Sequence, residues 1–305
     1  MRRTTILNAA EVKRTLFREA EAFFYKNCRL RNLRPQSIRY YQEDLTYFHN
    51  KKPVKYVDEI TQEVFDDFIF TELESGKKVV SLNSRIRGLR VFFKFCAERD
   101  LMKPIEAKLM KEDTEIKEPY TEVELRRLLK KPQSNRWTEW RTWALVNYLT
   151  ATGNRASTAA NLKISDFNFE EMTIHLRQVK NRHQQFIPLS PALKEVLEDY
   201  LKTWEWTEND FLFPTNEGGQ LGIRSLQGSI ARYNTSRGVS KTSVHLFRHT
   251  FAKGFILAGG GMAQLQALLG HSTLEMTRHY VNLYSVDLRQ NFERLNPLDN
   301  LMKAV

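Results

Sequence analysis

Between Pro104 and Pro119 the chain reads PIEAKLMKEDTEIKEP, charged and without regular apolar spacing, while the segments on either side carry apolar residues at helical intervals. A helical stripe needs a core to face, and a stretch that supplies none divides the chain into separate folding units. We therefore expect a first domain over residues 1–103, a linker over 104–119, a second domain over 120–285 and a tail over 286–305. In the first domain, PQSIRYYQEDLTYF places Ile38, Tyr41, Leu45 and Phe48 on one helical face, and Pro35 occupies a first-turn position where its missing N–H is harmless. A second helix is expected from near Thr61 until Ser75 and Gly76. A third, SLNSRIRGLRVFFKFC, lines up Leu82, Ile86, Leu89 and Phe93 and sets Arg85, Arg87, Arg90 and Lys94 on its other faces. With a further helix near residues 10–27, this domain is all-helical and has a basic side.

Thr121 and Glu124 form a capping-box pair that opens the second domain. An apolar helix, WALVNYLTATG, follows. Two strand candidates, MTIHL and QQFIPL, are joined by the polar RQVKNRH, and the pattern is helical again to the end. The expected fold is mainly α (α+β): an all-helical domain, then a mostly helical domain with a small antiparallel β-sheet.

Composition narrows the partners. The sequence has 47 Lys and Arg against 36 Asp and Glu, a formal charge of +11, which favours a polyanion such as nucleic acid, although anionic membranes attract basic proteins too. No stretch approaches the roughly 18 apolar residues of a membrane span, and MRRTTILNAAEV turns acidic before an apolar core develops, unlike a secretory signal. Cys28 and Cys96 lie in aromatic surroundings without metal-ligand spacing, as reduced core residues of a cytoplasmic protein would.

Four of the seven histidines, His245, His249, His271 and His279, fall within residues 245–279. His245 and His249 have the spacing of a zinc helix, but HLFRH lacks its glutamate and no third ligand stands at a recognisable distance, so no metal is expected. There is no G-x-S-x-G elbow. AGGGMAQ lacks the GK[ST] of a nucleotide cradle and reads as a turn between helices, so no nucleotide cofactor is expected. Two arginines remain: Arg155 in TGNR, just past a glycine that can end the apolar helix, and Arg248, one helical turn after His245. A guanidinium fork matches phosphate oxygens, and two on one phosphate would clamp it. Lys180, in the link between the strands, is long enough to reach a groove. His271 and Tyr280 complete a set of cations and one hydroxyl suited to attack by tyrosine on a phosphodiester.

TGNR, a lysine eight residues before the proline of FIP, HLFRHTFA, LLGHS and a tyrosine nine residues after the GHS histidine stand in order through the second domain. In these motifs the chain resembles the tyrosine recombinase (phage integrase) family, and its helical first domain resembles that family's core-binding domain. The resemblance implies a site-specific DNA recombinase. Tyr280 would be the nucleophile forming a 3′-phosphotyrosyl link. Arg155 and Arg248 would hold the non-bridging oxygens, His245 and His271 would bind the phosphate or move protons, and Lys180 would protonate the leaving 5′ oxygen. It also implies a double-stranded DNA site as partner, a homo-tetramer joined through the tail, phosphate contacts from Arg85, Arg87, Arg90 and Lys94, and no cofactor.

The sequence departs from the family's pattern in places. Thr158 stands where the family has an acidic residue supporting a histidine, and the lysine link lacks the usual glycines, so Arg177 and Arg182 rival Lys180. Tyr284, one turn on, rivals Tyr280. A type IB-like topoisomerase and a catalytically inactive DNA-binding protein are the alternatives. The short first domain leaves little room for the arm-binding domain of many phage integrases, which points to a simple Xer-like or transposon-encoded resolvase.

Overall fold

A computed structural model of the chain describes residues 14–112, 118–177 and 184–278, and it divides into two compact units, Met1–Glu115 and Ile116–Val305. The first contains α1 (Phe17–Leu30), α2 (Pro35–Lys51), α3 (Gln62–Glu74) and α4 (Val79–Ala97). Pro35 takes the first position of α2 as expected, and the Thr61 hydroxyl accepts from the Val64 N–H at 3.3 Å to open α3. The first helix starts later than its sequence pattern suggests. Backbone at Thr15 and Phe17 pairs with Val57 and Lys55, both at 3.0 Å, and this extended pairing holds the chain out of the helix until Phe17.

Phenylalanines fill the core of this unit. Phe24 meets Phe92, Phe48 meets Phe68 and Phe65 meets Phe93 edge to face, with centroids 5.4, 5.1 and 5.8 Å apart. That geometry sets the positive ring edge against the negative ring face, worth about 0.5–1.5 kcal/mol per pair beyond area burial. Cys28 and Cys96 are free and buried, and burial pushes the Cys96 thiol up to about 12. The stretch after Pro104 lies against α4: Asn83 exchanges two 2.9 Å hydrogen bonds with the backbone of Met110, and Ala107 is buried. An amide side chain satisfies both backbone groups at once, which fixes a segment that has no stripe of its own.

The second unit contains α5 (Glu122–Leu129), α6 (Trp137–Thr152), α7 (Ala156–Ala159), β1 (Phe167–Asn168), β2 (Thr173–Leu176), β3 (Gln185–Pro188), α8 (Pro191–Leu201), α9 (Ile223–Ser236), α10 (Val244–Leu257), α11 (Met262–Leu269) and α12 (Leu274–Arg278). The capping box forms, with Thr121 N–H donating to Glu124 at 2.7 Å and Glu124 N–H to the Thr121 hydroxyl at 3.2 Å. Helix α6 packs against α5, α8, α9 and α10, which is why WALVNYLTATG is apolar all round rather than striped. The sheet is antiparallel in the order β1-β2-β3. Ile174 and Ile187 pair facing inward, while the neighbouring His175–Phe186 pair stacks outside at 4.3 Å. Strand β1, two residues long, is too short to show an alternation in sequence.

No helix among the described residues is long and apolar enough to cross a membrane. The expected tail helix over 286–305 lies outside the described residues.

Candidate active site

Two helices of the second unit stop at left-handed glycines, and the site is built on those stops. Helix α6 ends at Gly153, φ +62°, and α11 at Gly270, φ +60°. Only glycine adopts this conformation without strain. At Gly153 space forbids a side chain as well, because a Cβ would fall 2.5 Å from the Phe251 ring and 2.9 Å from Leu269.

Arg248, on α10, is 2% exposed and reaches both helix ends. Its Nη1 donates to the Gly153 carbonyl and its Nη2 to the Leu269 carbonyl, each at 2.9 Å. These carbonyls lie at the negative ends of two helix dipoles, so the buried cation is held by partial charges. Arg248 Nη2 also contacts His271 Nε2. A guanidinium only donates, so Nε2 accepts and the neutral ring carries its proton on Nδ1, which lies 2.9 Å from the Thr277 hydroxyl. Burial first, then Arg248 and Arg155, lower the pKa of His271 to about 4. Gln266 donates to the His271 carbonyl at 3.1 Å and closes the loop.

Arg155 caps the start of α7 with extended backbone and accepts at its carbonyl from the Thr158 N–H at 2.9 Å. The loop before it is anchored from within: Asn154 donates through its amide to the buried Tyr148 hydroxyl at 2.7 Å, and its N–H reaches the Thr152 hydroxyl. Half-buried Arg155 donates no side-chain hydrogen bond among the described residues, and its charge acts on His271. The structure thus brings Arg155, Arg248 and His271 together. His245 is exposed in the first turn of α10, one turn before Arg248, and Thr158 is buried one turn after Arg155.

Lys180 and Tyr280 lie outside the described residues, as do Arg182 and Tyr284. Arg177 is committed elsewhere: its Nε donates to the buried Asp166 carboxylate at 2.5 Å, at the base of the strand pair. Two contributors were not singled out from sequence. Thr277 is fully buried against His271, and the Gln185 amide donates to the Ala267 and Leu268 carbonyls, tying β3 to the end of α11. Thr277 belongs to a polar cluster before Tyr280, but nothing in its spacing says which hydroxyl turns inward.

In the first unit, the four basic side chains of α4 differ. Arg85 pairs with the buried Asp44 carboxylate at 3.2 Å and stacks on Tyr47 at 3.5 Å. Burial raises the Asp44 carboxyl to about 6 while Arg85 pulls it back. Arg90 donates through Nε to the Ala107 carbonyl at 2.8 Å. Arg87 and Lys94 stay exposed with loose pairs, 3.8 Å to Glu112 and 3.7 Å to Glu98. Among the described residues, no three His, Cys, Asp or Glu side chains are placed to hold a metal ion.

The profile of the phage integrase family matches residues 120–286, more than half of the chain. Tyrosine recombinase XerC of Bacillus licheniformis is 28% identical over 268 residues, covering 84% of this chain and 87% of its own. Among solved structures, the Tn1549 transposon integrase in complex with transposon right end DNA superposes with a TM-score of 0.75 at 19% identity, covering 90% of this chain and 99% of that one. A lambda integrase tetramer bound to a Holliday junction gives 0.72 at 16% identity, over 89% and 78%. At these identities the two structures speak for the fold.

Proposed function

The chain belongs to the phage integrase family, and from that premise we propose that it is a site-specific recombinase whose active site is Arg155, Lys180, His245, Arg248, His271 and Tyr280. The observation that carries this reading is the convergence of Arg155 and Arg248 on His271, with Tyr280 nine residues further on. Arg248 is already oriented by the Gly153 and Leu269 carbonyls, so little ordering remains when a phosphate arrives. The two guanidinium groups hold its non-bridging oxygens. Tyr280 Oη then attacks phosphorus, the bond to the 5′ oxygen breaks, and Lys180 protonates that leaving oxygen. Phosphoryl bond energy is kept in the 3′-phosphotyrosyl link, so a 5′-hydroxyl from another strand reverses the step without ATP. General-acid help of this kind typically contributes 10²–10⁴-fold in rate.

The first unit serves as the core-binding domain, and its phosphate contacts come from Arg87 and Lys94, while Arg85 and Arg90 brace the fold. Four copies on paired double-stranded DNA sites, joined through residues 286–305, carry out the exchange in the cytoplasm. The similarity to tyrosine recombinase XerC fits an Xer-like resolvase or one encoded by a transposon. The test is a nicked suicide duplex carrying a site selected by binding enrichment. Wild-type protein forms a covalent adduct and Tyr280→Phe forms none, while Tyr284→Phe retains it. An adduct persisting in Tyr280→Phe would overturn the nucleophile assignment, and relaxation of supercoiled DNA without exchanged strands would favour a topoisomerase.

A further inference from the structure

The end of α6 far from Gly153 holds a second cluster of cations. Arg141, one turn into the helix, is 6% exposed, and its only hydrogen bond among the described residues runs from Nη1 to the Pro214 carbonyl. A carbonyl and the Trp137 ring, 5.0 Å from its guanidinium carbon, stand where a buried arginine would usually meet a carboxylate. Burial lowers the pKa of Arg141, Tyr200 pulls it back, and Arg232 lowers it again, so a second guanidinium is near enough to be felt. Arg141, Arg232 and Arg136 line one cleft of about 430 Å³ between the start of α6 and the second half of α9. The one carboxylate in its lining, Glu139, is taken by Arg237 at 3.1 Å. The Thr142 and Ser236 hydroxyls donate to carbonyls of their own helices, each at 2.8 Å. Arg232 is exposed and makes no hydrogen bond or ion pair among the described residues. Arg136 gives α6 no side-chain cap, so the positive end of the helix dipole adds to the same cleft.

We propose that this cleft is a phosphate-binding site, with Arg141 at its floor and Arg136 and Arg232 at its rim. Bracing the Pro214 carbonyl occupies one donor of Arg141, and a neutral side chain could do as much. A guanidinium carries five N–H groups and a full charge, and a phosphate accepts from several of them while supplying the missing countercharge. The cleft's volume lies toward the small end of the roughly 300–1,000 Å³ of small-molecule sites, which suits a phosphate or diphosphate group. At roughly 1.5 Å per residue, Arg141 stands about 18 Å along the helix axis from Gly153, too far for one phosphate to touch both ends of α6. The site therefore stands apart from the catalytic residues and does not depend on their assignment. Its phosphate comes from a soluble phosphate compound or from the backbone of a nucleic acid, which present the same oxygens.

Calorimetric titration of the full chain with inorganic pyrophosphate at fixed ionic strength tests the proposal. An Arg155→Gln background weakens binding at the catalytic arginines, and one saturable site should remain. Adding Arg232→Gln, at an exposed position that braces nothing in the fold, should weaken that site about 10- to 100-fold, and adding Arg141→Gln should weaken it at least as much. A saturating random-sequence DNA duplex separates the two sources. Displacement of pyrophosphate assigns the cleft to backbone phosphate, and undisturbed binding assigns it to a soluble phosphate compound; the cleft binds phosphate in either case. Absence of saturable binding, or an affinity unchanged by Arg232→Gln, overturns the proposal.

Discussion

Arg85 in the first unit and Arg248 in the second are both drawn into the protein, yet their counterparts differ in kind. Arg85 meets a buried carboxylate, Asp44, and the pair is close to neutral. Arg248 donates to the Gly153 and Leu269 carbonyls, which orient a guanidinium through partial charges. The first arrangement braces two helices. The second fixes the direction of a cation between two helix ends, and the difference lies in the partner rather than in the arginine.

The largest effect that would break this comparison is on Arg248. Arg248→Lys keeps the charge but loses the fork that spans two helix ends, and adduct formation should fall about 100-fold or more. Arg85→Lys, which preserves an ion pair to Asp44, should leave adduct formation within a few-fold of wild type. Equal losses in the two variants, measured on the same duplex, would erase the distinction.

A smaller effect concerns pH. Burial, Arg248 and Arg155 keep His271 neutral until about pH 4, whereas in the unfolded chain it takes up a proton near its ordinary value of 6.5. Its folded pKa is the lower one, so its contribution to stability is present above 6.5 and is lost as pH falls toward 4. The second unit should be less stable at pH 5 than at pH 7 by roughly 2 kcal/mol from this group, and His271→Asn should flatten that dependence. All five tryptophans, Trp137, Trp140, Trp143, Trp204 and Trp206, lie in the second unit, so their fluorescence during urea unfolding follows this unit. The smallest effect is expected on α4. Arg87→Ala and Lys94→Ala should each weaken DNA binding a few-fold and reduce the slope of log affinity against log salt by about 0.9.

Much of the fold was legible because its signals are local. The stripes of α2 and α4, the bounds of α3, the Thr121–Glu124 box and the two flanking strands of the lysine link all depend on residues within a turn or two of each other. The start of α1 was misplaced because residues 15–17 pair with residues 55–57, a contact without any local trace. Strand β1 exists only as the partner of β2.

The same division runs through the candidate site. The sequence by itself determined which residue types are present and in what order: arginines at 155 and 248, histidines at 245 and 271, a lysine at 180 and a tyrosine at 280. It also marked Gly153 as a place where a helix could stop. Only the tertiary structure decided that Gly153 and Gly270 bring two helix ends to one guanidinium, that Arg177 is tied to Asp166, and that Thr277 faces His271. Residue chemistry is a property of the chain and can be read in order. Which carbonyl meets which cation, and which nitrogen of an imidazole holds the proton, depends on groups as much as 95 positions apart that only packing brings together.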